Sequence, residues 1–470
     1  MAFWNRRKPI MTEPHAQALK PTLSWYHLMA LGVGAIVGTG IYTLTGVGVD
    51  KAGPGIIVAF ALVGVICAAV ALAYAELATM IPGSGGAYTY SYVALGELLA
   101  WFVGFSLILE YSLVVSAVAV GWSGYAVGFL EGLNVSLPAA LTAGPHAGGV
   151  VNLPAVFIIF VVAGLLLLGT RESATVNAVL VCVKIAALVL FVAVALPAFD
   201  PANFEPLMPY GFNKATGADG VERGVMAGAA IVFFAFYGFD TISTAAEEAK
   251  NPGRDLTIGI VGSMLLCTVI YMLVAAAAVG ALPFLQFADS PEPLALILRL
   301  LGSPATAQWV AAAVVVGVPT VILAFLYGQT RIFFVMARDG LLPRELSRLS
   351  ARGVPVAVTL FTAVVVAVLA GVLRLDEIAA LANAGTLAAF TAVGVCLVVM
   401  RLREPERARV FRAPLWPVVG AVTVLGCVYL FVSLPARTQL YFLAWNVVGL
   451  AVYLLYARRS SELAQAGSPA

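Results

Sequence analysis

The chain has 470 residues, of which 61% are hydrophobic and only 11% are charged, and its formal net charge is +2. A soluble domain averages about a quarter charged residues, so this chain cannot cover its surface with polar groups. The composition excludes a soluble protein and predicts an all-α polytopic membrane protein.

The chain begins with a polar, basic segment, residues 1–25, that has neither a short apolar core nor a cleavage site of small residues. It is interpreted as a cytoplasmic N-terminal leader and not as a removed signal peptide. Apolar stretches of roughly twenty residues, enough to cross a bilayer as a helix, then recur along the chain. The about twelve predicted spans are residues 26–47, 54–79, 98–127, 151–169, 174–197, 224–248, 257–282, 305–337, 355–373, 378–401, 413–434 and 440–457. Residues 460–470 form a short polar tail that is expected to be disordered.

Lysine and arginine are distributed unevenly over the connections between these spans. With the N-terminus inside, 19 of the 26 Lys and Arg residues lie in inner segments and 6 in outer ones. Because the inner loops of membrane proteins carry the excess of positive charge, this distribution predicts a multi-pass protein of the cell (inner) membrane with both termini in the cytoplasm.

The first predicted span contains the stretch "LGVGAIVGTGIYTLTGVG", residues 31–48, which is rich in glycine. Glycine weakens helices more than any residue except proline. One interpretation is close packing of helices, because Gly34 and Gly38 have the i, i+4 spacing that lets helices approach. The favoured interpretation is a helix that unwinds around Gly38, Thr39 and Gly40. A membrane tolerates such backbone only where it is buried in protein or lines a cavity.

The sixth predicted span, "GAAIVFFAFYGFDTISTAAEEAKNPGRD", has a comparable interruption at Gly238, followed by polar residues where lipid-facing ones would be apolar. Secondary transporters often consist of two inverted halves with a broken helix at matching positions and the binding site between them. Free amides at a half-helix N-terminus suit a carboxylate, and free carbonyls at a half-helix C-terminus suit an ammonium group. The two interruptions together predict a binding site for an amino acid.

Several motifs resemble those of known transporters. The segment "GVGAIVGTGIYTLTG" resembles the first-helix signature of the amino acid–polyamine–organocation superfamily, and "YAELATMIPGSGGAYTYSY" resembles the connection between its second and third helices. The segments "FFAFYGFDTISTAAEEAKNPGRDLTIGI" and "YGQTRIFFVMARDGLLP" resemble the sixth and eighth helix regions of the bacterial cationic amino acid transporter family. The resemblance extends over nearly the whole chain.

The resemblance implies two inverted five-helix repeats, residues 26–197 and 224–401, with discontinuous first and sixth helices, followed by two additional helices in residues 413–457. It also implies that a substrate carboxylate meets the backbone of residues 38–40, that the ammonium group meets carbonyls of residues 234–237, and that Phe234 caps the substrate from outside. The residues implied to bind substrate are Ile36, Gly38, Thr39, Gly40, Ile41, Phe234, Ala235, Tyr237, Gly238 and Ile322. From composition alone, Phe234 could equally be a lipid-facing or packing residue.

Three ionisable residues, Glu110, Lys184 and Asp240, lie well inside predicted spans. An intramembrane charge costs at least about 2.5–3.5 kcal/mol on insertion scales, so each is a candidate for a functional role. In proton-coupled relatives, a lysine on the fifth helix resembles a stand-in for a sodium ion, linking the first helix to the eighth. The resemblance predicts proton coupling through Lys184, with Glu110 and Asp240 as further candidates.

Each of these residues also has a structural interpretation. Lys184 could snorkel toward the cytoplasm, Asp240 could satisfy free groups at the helix break, and Glu110 could pair with another buried charge. Glu76, near the end of the second predicted span, is assigned to the membrane interface.

The nature of the substrate side chain is predicted less directly. The eighth span is apolar around Val318, Val321 and Ile322, and bulk at Ile322 opposes a long side chain. This pattern favours small neutral amino acids such as alanine, imported by proton symport. A cationic side chain would need buried acceptors, which Glu110 and Asp240 could supply. Permeation or exchange of arginine, lysine or polyamines therefore stays an alternative.

Two other classes of function are disfavoured. A channel pore usually has repeated rings of charges or carbonyls, and the sequence has no such repetition. A membrane enzyme or a metal site would need clustered His, Asp or Cys. The chain has only three histidines, and its five cysteines lie in apolar stretches without the paired spacing of metal ligands. No enzyme activity, cofactor, metal or nucleic acid is expected. The predicted partners are an amino acid, protons and the lipid bilayer; a small membrane-protein subunit is compatible with the sequence but not indicated by it.

Overall fold

The structure is a computed structural model that describes residues 6–9, 23–81, 85–168, 174–244, 249–348, 350 and 355–466. These residues are mostly helical, and helices lie in each of the predicted spans. Within the described ranges, nine apolar stretches are long enough to cross a bilayer: Leu44–Met80, Glu97–Gly132, Val176–Ala198, Val225–Ser243, Gly253–Ala281, Pro304–Arg338, Leu375–Arg403, Trp416–Ser433 and Ala436–Ser460. The shorter apolar helices are Trp25–Ile36, Leu153–Leu167 and Val356–Val372. The protein is therefore a multi-pass helical membrane protein.

The first part of the chain forms eight helices. They are α1 (Trp25–Ile36), α2 (Thr39–Tyr42), α3 (Leu44–Ala52), α4 (Ile56–Met80), α5 (Gly86–Ala94), α6 (Glu97–Gly132), α7 (Leu153–Leu167) and α8 (Ala174–Ala195). With 36 residues at about 1.5 Å per residue, α6 is longer than the roughly 30 Å of hydrocarbon in a bilayer. It therefore extends beyond the lipid.

A short hairpin and twelve further helices follow. The hairpin pairs β1 (Ala215–Thr216) with β2 (Glu222–Arg223) in antiparallel register. The helices are α9 (Val225–Val232), α10 (Thr241–Thr244), α11 (Pro252–Ala281), α12 (Pro293–Leu300), α13 (Pro304–Gly317), α14 (Pro319–Arg338), α15 (Val356–Val372), α16 (Leu375–Arg403), α17 (Trp416–Ser433), α18 (Ala436–Val452), α19 (Arg458–Ser460) and α20 (Glu462–Ala466).

Local sequence signals explain where several of these helices begin. Helices α11 to α14 each start with a proline. Proline suits the first helical position because its φ is already fixed and an N–H there would have no helical partner. At the start of α7, the side chain of Asn152 accepts a hydrogen bond from the amide of Ala155 over 3.2 Å, which is the usual action of an N-cap residue.

The long helix α6 lies at the centre of the bundle. It packs against α5, α7, α13, α14, α15, α16 and α18, whereas α1 packs mainly against α11 and α8. The contacts bury one continuous apolar core, and the remaining apolar side chains cover the outer surface. A protein whose solvent is lipid has this distribution.

Residues 6–9 and 453–466, the described parts nearest the two termini, lie at the same end of the bundle, which we call the terminal face. There the guanidinium of Arg6 donates to the carbonyl of Arg458 over 3.2 Å, and the ammonium of Lys8 lies 2.8 Å from a carboxylate oxygen of Asp339. The buried carboxylate of Glu97 accepts hydrogen bonds from the hydroxyls of Tyr453 and Ser461. The opposite face carries the hairpin and the connection between α6 and α7.

Two expectations about the terminal face need correction. The tail was expected to be disordered, but Glu462–Ala466 form α20. Just before this helix, the hydroxyl of the buried Ser461 donates a hydrogen bond of 2.6 Å to the carboxylate of Glu97. Residues 467–470 lie outside the described residues. Glu76, expected at an interface, is only 1% exposed. It lies 2.7 Å from Arg401 and 3.0 Å from Arg409, and these two cations stabilise its burial.

Candidate functional site

The first helix discontinuity lies between α1 and α2. Helix α1 ends at Ile36, and Val37 and Gly38 have extended backbone conformations before α2 begins at Thr39. The prediction of a break is confirmed, but the break precedes Thr39 and Gly40, which form the first turn of the next helix. The first amides of a helix have no acceptor within it. This turn therefore presents N–H groups at the break.

The second discontinuity follows α9. The helix ends at Val232 and tightens into a 3₁₀ turn, Phe233–Phe236, after which Tyr237 is extended. Gly238 then has φ of +111°, a conformation that only glycine adopts readily. Helix α10 begins at Thr241. The predicted interruption at Gly238 is confirmed, because one helix ends before this residue and the next begins after it. A residue with a side chain would be strained at this position.

The two discontinuities contact each other. A Cβ atom at Gly40 would overlap the Cα atom of Ala235, and a Cβ atom at Gly238 would lie 2.7 Å from the carbonyl carbon of Ala35. Residue numbers rise along one segment as they fall along the other, so the two backbones run antiparallel. Both positions must be glycine for the two backbones to approach this closely. The sequence alone did not reveal this reason for the two glycines.

Side chains from neighbouring helices hold the ends of both broken helices. The hydroxyl of Tyr271, on α11, donates to the carbonyl of Ile36 over 2.9 Å. The side-chain amide nitrogen Nδ2 of Asn383, on α16, donates hydrogen bonds to the backbone carbonyls of Ala230 and Ile231 over 2.6 and 3.2 Å. Sequence analysis missed both residues, although a buried polar side chain in an apolar span is a signal for a bonding role.

Lys184 connects the first discontinuity to α14. Its side chain is fully buried, and its ammonium nitrogen donates to the carbonyl of Gly34 over 2.6 Å and to the hydroxyl of Thr320 over 3.3 Å. A Cβ at Gly317 would lie 2.6 Å from Cγ of Lys184, so this glycine makes room for the side chain. The alternative that Lys184 snorkels to the surface is wrong. Sequence analysis missed Gly317 and Thr320.

Apolar side chains surround the two breaks. Phe234 is 5% exposed and its ring centroid lies 5.0 Å from that of Tyr237, so the lipid-facing alternative for Phe234 is wrong. Ile322 is fully buried on α14. At the preceding residue of the same helix, Cγ2 of Val321 lies 3.2 Å from where a Cβ at Gly38 would be. The wall predicted from the eighth span therefore contacts the first break.

The two buried carboxyl groups have different surroundings. Asp240 accepts a hydrogen bond from the amide of Gly238 over 3.2 Å, so it does cap the break. It also lines a cavity of about 30 Å³ with Tyr74 and Tyr111, which is room for one water molecule. Glu110 is 2% exposed, and its Oε2 has no hydrogen-bond partner among the described residues. Neither carboxyl forms an ion pair within the described ranges, so the pairing alternative for Glu110 is wrong there.

Comparison with known proteins identifies the family. Residues 23–455 match the family model described as amino acid permease. The branched-chain amino acid permease BcaP of Bacillus subtilis is 44% identical to this chain, over 96% of each. The methylthioribose transporter of the same bacterium is 41% identical, over 97% of this chain and 98% of its own length.

A plant protein is also similar. The vacuolar cationic amino acid transporter 4 of Arabidopsis thaliana is 38% identical, over 84% of this chain and 65% of its own length. The family match and these identities agree with the multi-pass helical fold. The chain belongs to the amino acid permease family, within the amino acid–polyamine–organocation superfamily, and is a membrane transporter and not an enzyme.

Proposed function

We propose that this chain imports L-amino acids with neutral aliphatic side chains across the cell membrane, by proton symport and alternating access. The observation that carries the proposal is the contact between the two helix discontinuities at Gly40 and Gly238. Broken helices that meet inside a transporter present backbone groups of opposite polarity to one small molecule. A zwitterionic amino acid carries the matching pair of charges.

The proposed topology consists of two inverted repeats. Helices α1 to α8 form the first repeat, α9 to α16 form the second, and α17 and α18 are additional. The antiparallel contact of the two breaks supports this arrangement, because inverted repeats bring equivalent segments together in opposite directions. The terminal face lies in the cytoplasm, in keeping with 19 Lys and Arg residues in its connections and 6 in the others.

In the proposed binding mode, the substrate carboxylate accepts hydrogen bonds from amides of Gly38, Thr39 and Gly40, with Ile36 and Ile41 beside it. Position supports this assignment, because these amides open the first turn of α2 and helix N-terminal amides favour anions. The ammonium group meets carbonyls of residues 234–237, at the end of the other half-helix. Helix C-terminal carbonyls favour cations.

The proposed substrate side chain is neutral. Val321 and Ile322 border the first break and are buried, and the relative of highest identity reported above is named a branched-chain amino acid permease. We therefore extend the preference from alanine to valine, leucine and isoleucine. A cationic side chain is the second candidate, because Glu110 has a buried carboxylate oxygen with no hydrogen-bond partner among the described residues, which an arginine or lysine substrate could satisfy.

Lys184 is the proposed proton carrier. Charged, it bonds the carbonyl of Gly34 and the hydroxyl of Thr320; neutral, it has one donor fewer and no charge. Loss of the proton therefore weakens the link between α1 and α14 and favours movement of α1. Glu110 and Asp240 are the candidates for a second proton, since both are buried and neither forms an ion pair within the described ranges.

The test is uptake into liposomes that hold the purified protein. Radiolabelled alanine and leucine are offered with and without an inward proton gradient, and unlabelled valine, serine, arginine, lysine or methylthioribose is added as competitor. We expect uptake that the gradient stimulates severalfold and that valine inhibits while arginine and lysine do not.

Other outcomes assign different functions. Inhibition by arginine and lysine, with little leucine uptake, would show that the site takes a cationic side chain and would overturn the neutral assignment. Inhibition by methylthioribose alone would overturn the amino acid assignment. Uptake that requires an amino acid preloaded inside the liposomes and does not respond to the proton gradient would show exchange and would overturn proton symport.

A further inference from the structure

A large cavity opens on the face opposite the terminal face. Its volume is about 650 Å³, within the range of roughly 300–1,000 Å³ that is typical of small-molecule sites. Helices α3 and α6, the connection before α7, the segment before α12 and the start of α16 line it. The lining includes Thr43, whose amide donates to the carbonyl of Thr39 over 2.8 Å. The cavity thus reaches to within one helical turn of the first break.

Carboxylates outnumber cations in this cavity. Five acidic residues line it, against two basic ones; the acidic residues are Asp50, Glu131, Asp289, Glu292 and Asp376, and the basic ones are Lys51 and Arg374. Each basic residue already pairs with an acidic neighbour over 3.1 Å, Lys51 with Asp50 and Arg374 with Asp376. The excess charge of the lining is therefore negative. Glu131 and Asp289 form no ion pair among the described residues, and Glu292 pairs with Arg299, which lies outside the lining.

Glu131 and Glu292 are brought together by the packing of α6. The carboxylate of Glu292 lies directly against Gly128, where a Cβ would overlap it. Glu131 is three residues further along the same helix, hence on the same side. Glu292 forms an ion pair with Arg299 through Oε1, and Glu131 repels it electrostatically. Two carboxylates held close together favour a cation between them.

Two lining residues have buried polar atoms without a partner. Thr43 is 2% exposed and Glu292 is 8% exposed. Neither Oγ1 of Thr43 nor Oε2 of Glu292 has a hydrogen-bond partner among the described residues. Buried oxygens without donors are costly, and both of these accept hydrogen bonds. A ligand that donates several hydrogen bonds and carries positive charge complements them.

We propose that this cavity is a second binding site, which holds the ammonium group of an amino acid or other primary amine between Glu131 and Glu292, with Thr43 on the side of the first break. The ammonium has three N–H donors, enough for carboxylate oxygens of both Glu131 and Glu292. Thr43 lines the same cavity nearer the first break. The site captures the amine before it reaches the break. Only the identification of this amine with the transported amino acid rests on the proposed function.

The test uses thiol labelling of the full-length protein in detergent, so it requires no transport. Val127 lines the cavity one turn before Glu131 on α6, and a Val127→Cys variant is made in a Cys182→Ser background because Cys182 is the exposed native cysteine among the described residues. The reagents are two methanethiosulfonates, one with a trimethylammonium group and one with a sulfonate. The control is Ser136→Cys, in the exposed connection after α6.

The measured quantity is the labelling rate of the cationic reagent divided by that of the anionic one. This ratio is expected to be at least tenfold higher at Val127→Cys than at Ser136→Cys. Adding Glu131→Gln should reduce this preference at least threefold; Glu131 is exposed, so its substitution leaves the packing intact. Glu205→Gln, in an exposed connection outside the cavity lining, should leave it unchanged. Ethylamine should slow labelling at Val127→Cys, whereas acetate should not.

Equal reagent ratios at the two cysteines, or a ratio that Glu131→Gln does not alter, would overturn the proposal. So would the absence of protection by ethylamine. A protein that shows the preference and the protection yet takes up no amino acid would retain this site and would contradict only the proposed function.

Discussion

The ammonium nitrogen of Lys184 lies 2.6 Å from the carbonyl oxygen of Gly34, in the last turn of α1 before the chain unwinds. The same nitrogen reaches Thr320 in the first turn of α14. A buried ammonium needs such acceptors, and the unwound end of α1 supplies a carbonyl that a regular helix would have kept for itself. The break in α1 and the charge on Lys184 therefore depend on each other.

Replacing Lys184 with methionine should uncouple transport from protons. Lys184→Met keeps most of the length of the side chain and removes its charge, so the carbonyl of Gly34 loses its donor. We expect uptake to fall at least tenfold and the remaining uptake to be insensitive to a proton gradient. The control is Lys214→Met, which removes a lysine on the opposite face that bonds the carbonyl of Leu434. Wild-type uptake and pH dependence in Lys184→Met would contradict the assigned role.

Adding a methyl group at Gly40 should destabilise the protein. The new Cβ would overlap the backbone of Ala235, and overpacking typically costs about 1–3 kcal/mol. We expect Gly40→Ala to lower the thermal unfolding temperature in detergent and to abolish uptake. Gly164→Ala on α7 is the matched control, because a Cβ there meets nothing within 4 Å. Alanine should stabilise that helix slightly, and equal melting of the two variants would refute the contact between the breaks.

Glu76 should be far more important for stability than an exposed acid in the same region. In Glu76→Gln, Arg401 and Arg409 lose the carboxylate that pairs with both, and breaking a buried ion pair costs about 3–5 kcal/mol. Glu404→Gln removes an exposed carboxylate that pairs with Arg407 and should cost about 1 kcal/mol or less. Thermal unfolding of both variants measures the difference. A loss at Glu76 no larger than at Glu404 would show that this cluster adds no stability.

Two acidic residues on the opposite face should give pH effects of opposite sign. Burial raises the pKa of Glu292, against the opposing effect of Arg299. A carboxyl whose pKa is raised on folding makes the fold less stable as pH rises through the interval between its unfolded and folded values. The hydrogen bond from Arg223 lowers the pKa of Asp219. Asp219 therefore stabilises the fold fully at pH values above the ordinary aspartate pKa, and this stabilisation is lost as pH falls through the lowered pKa of the folded protein.

The measurement is the difference in unfolding temperature between wild type and each neutral variant, as a function of pH. For Glu292→Gln the difference, wild type minus variant, should decrease as pH rises above the ordinary pKa of glutamic acid, about 4.3. For Asp219→Asn it should increase with pH over the acidic end of the range. Slopes of the same sign for the two residues would contradict the assigned surroundings of Glu292.

The sequence by itself determined the class of the protein and the positions of both helix breaks. Composition required a lipid-facing surface, and the length of the apolar stretches predicted where helices lie. Gly38 and Gly238 were identified because glycine in an otherwise apolar span is a local signal. Lys184, Glu110 and Asp240 were singled out in the same way, since a charge inside a span is conspicuous.

Only the tertiary structure decided what these residues contact. Pairs such as Gly40 with Ala235 and Lys184 with Gly34 join positions about 150 to 200 residues apart in the chain, and no local pattern encodes such pairing. For the same reason the burial of Glu76 between two arginines, the ordering of the tail against Glu97 and the acidic cavity around Glu292 could not be predicted. Periodicity and composition report a residue's immediate neighbours along the chain, whereas burial and charge pairing depend on which helices pack together.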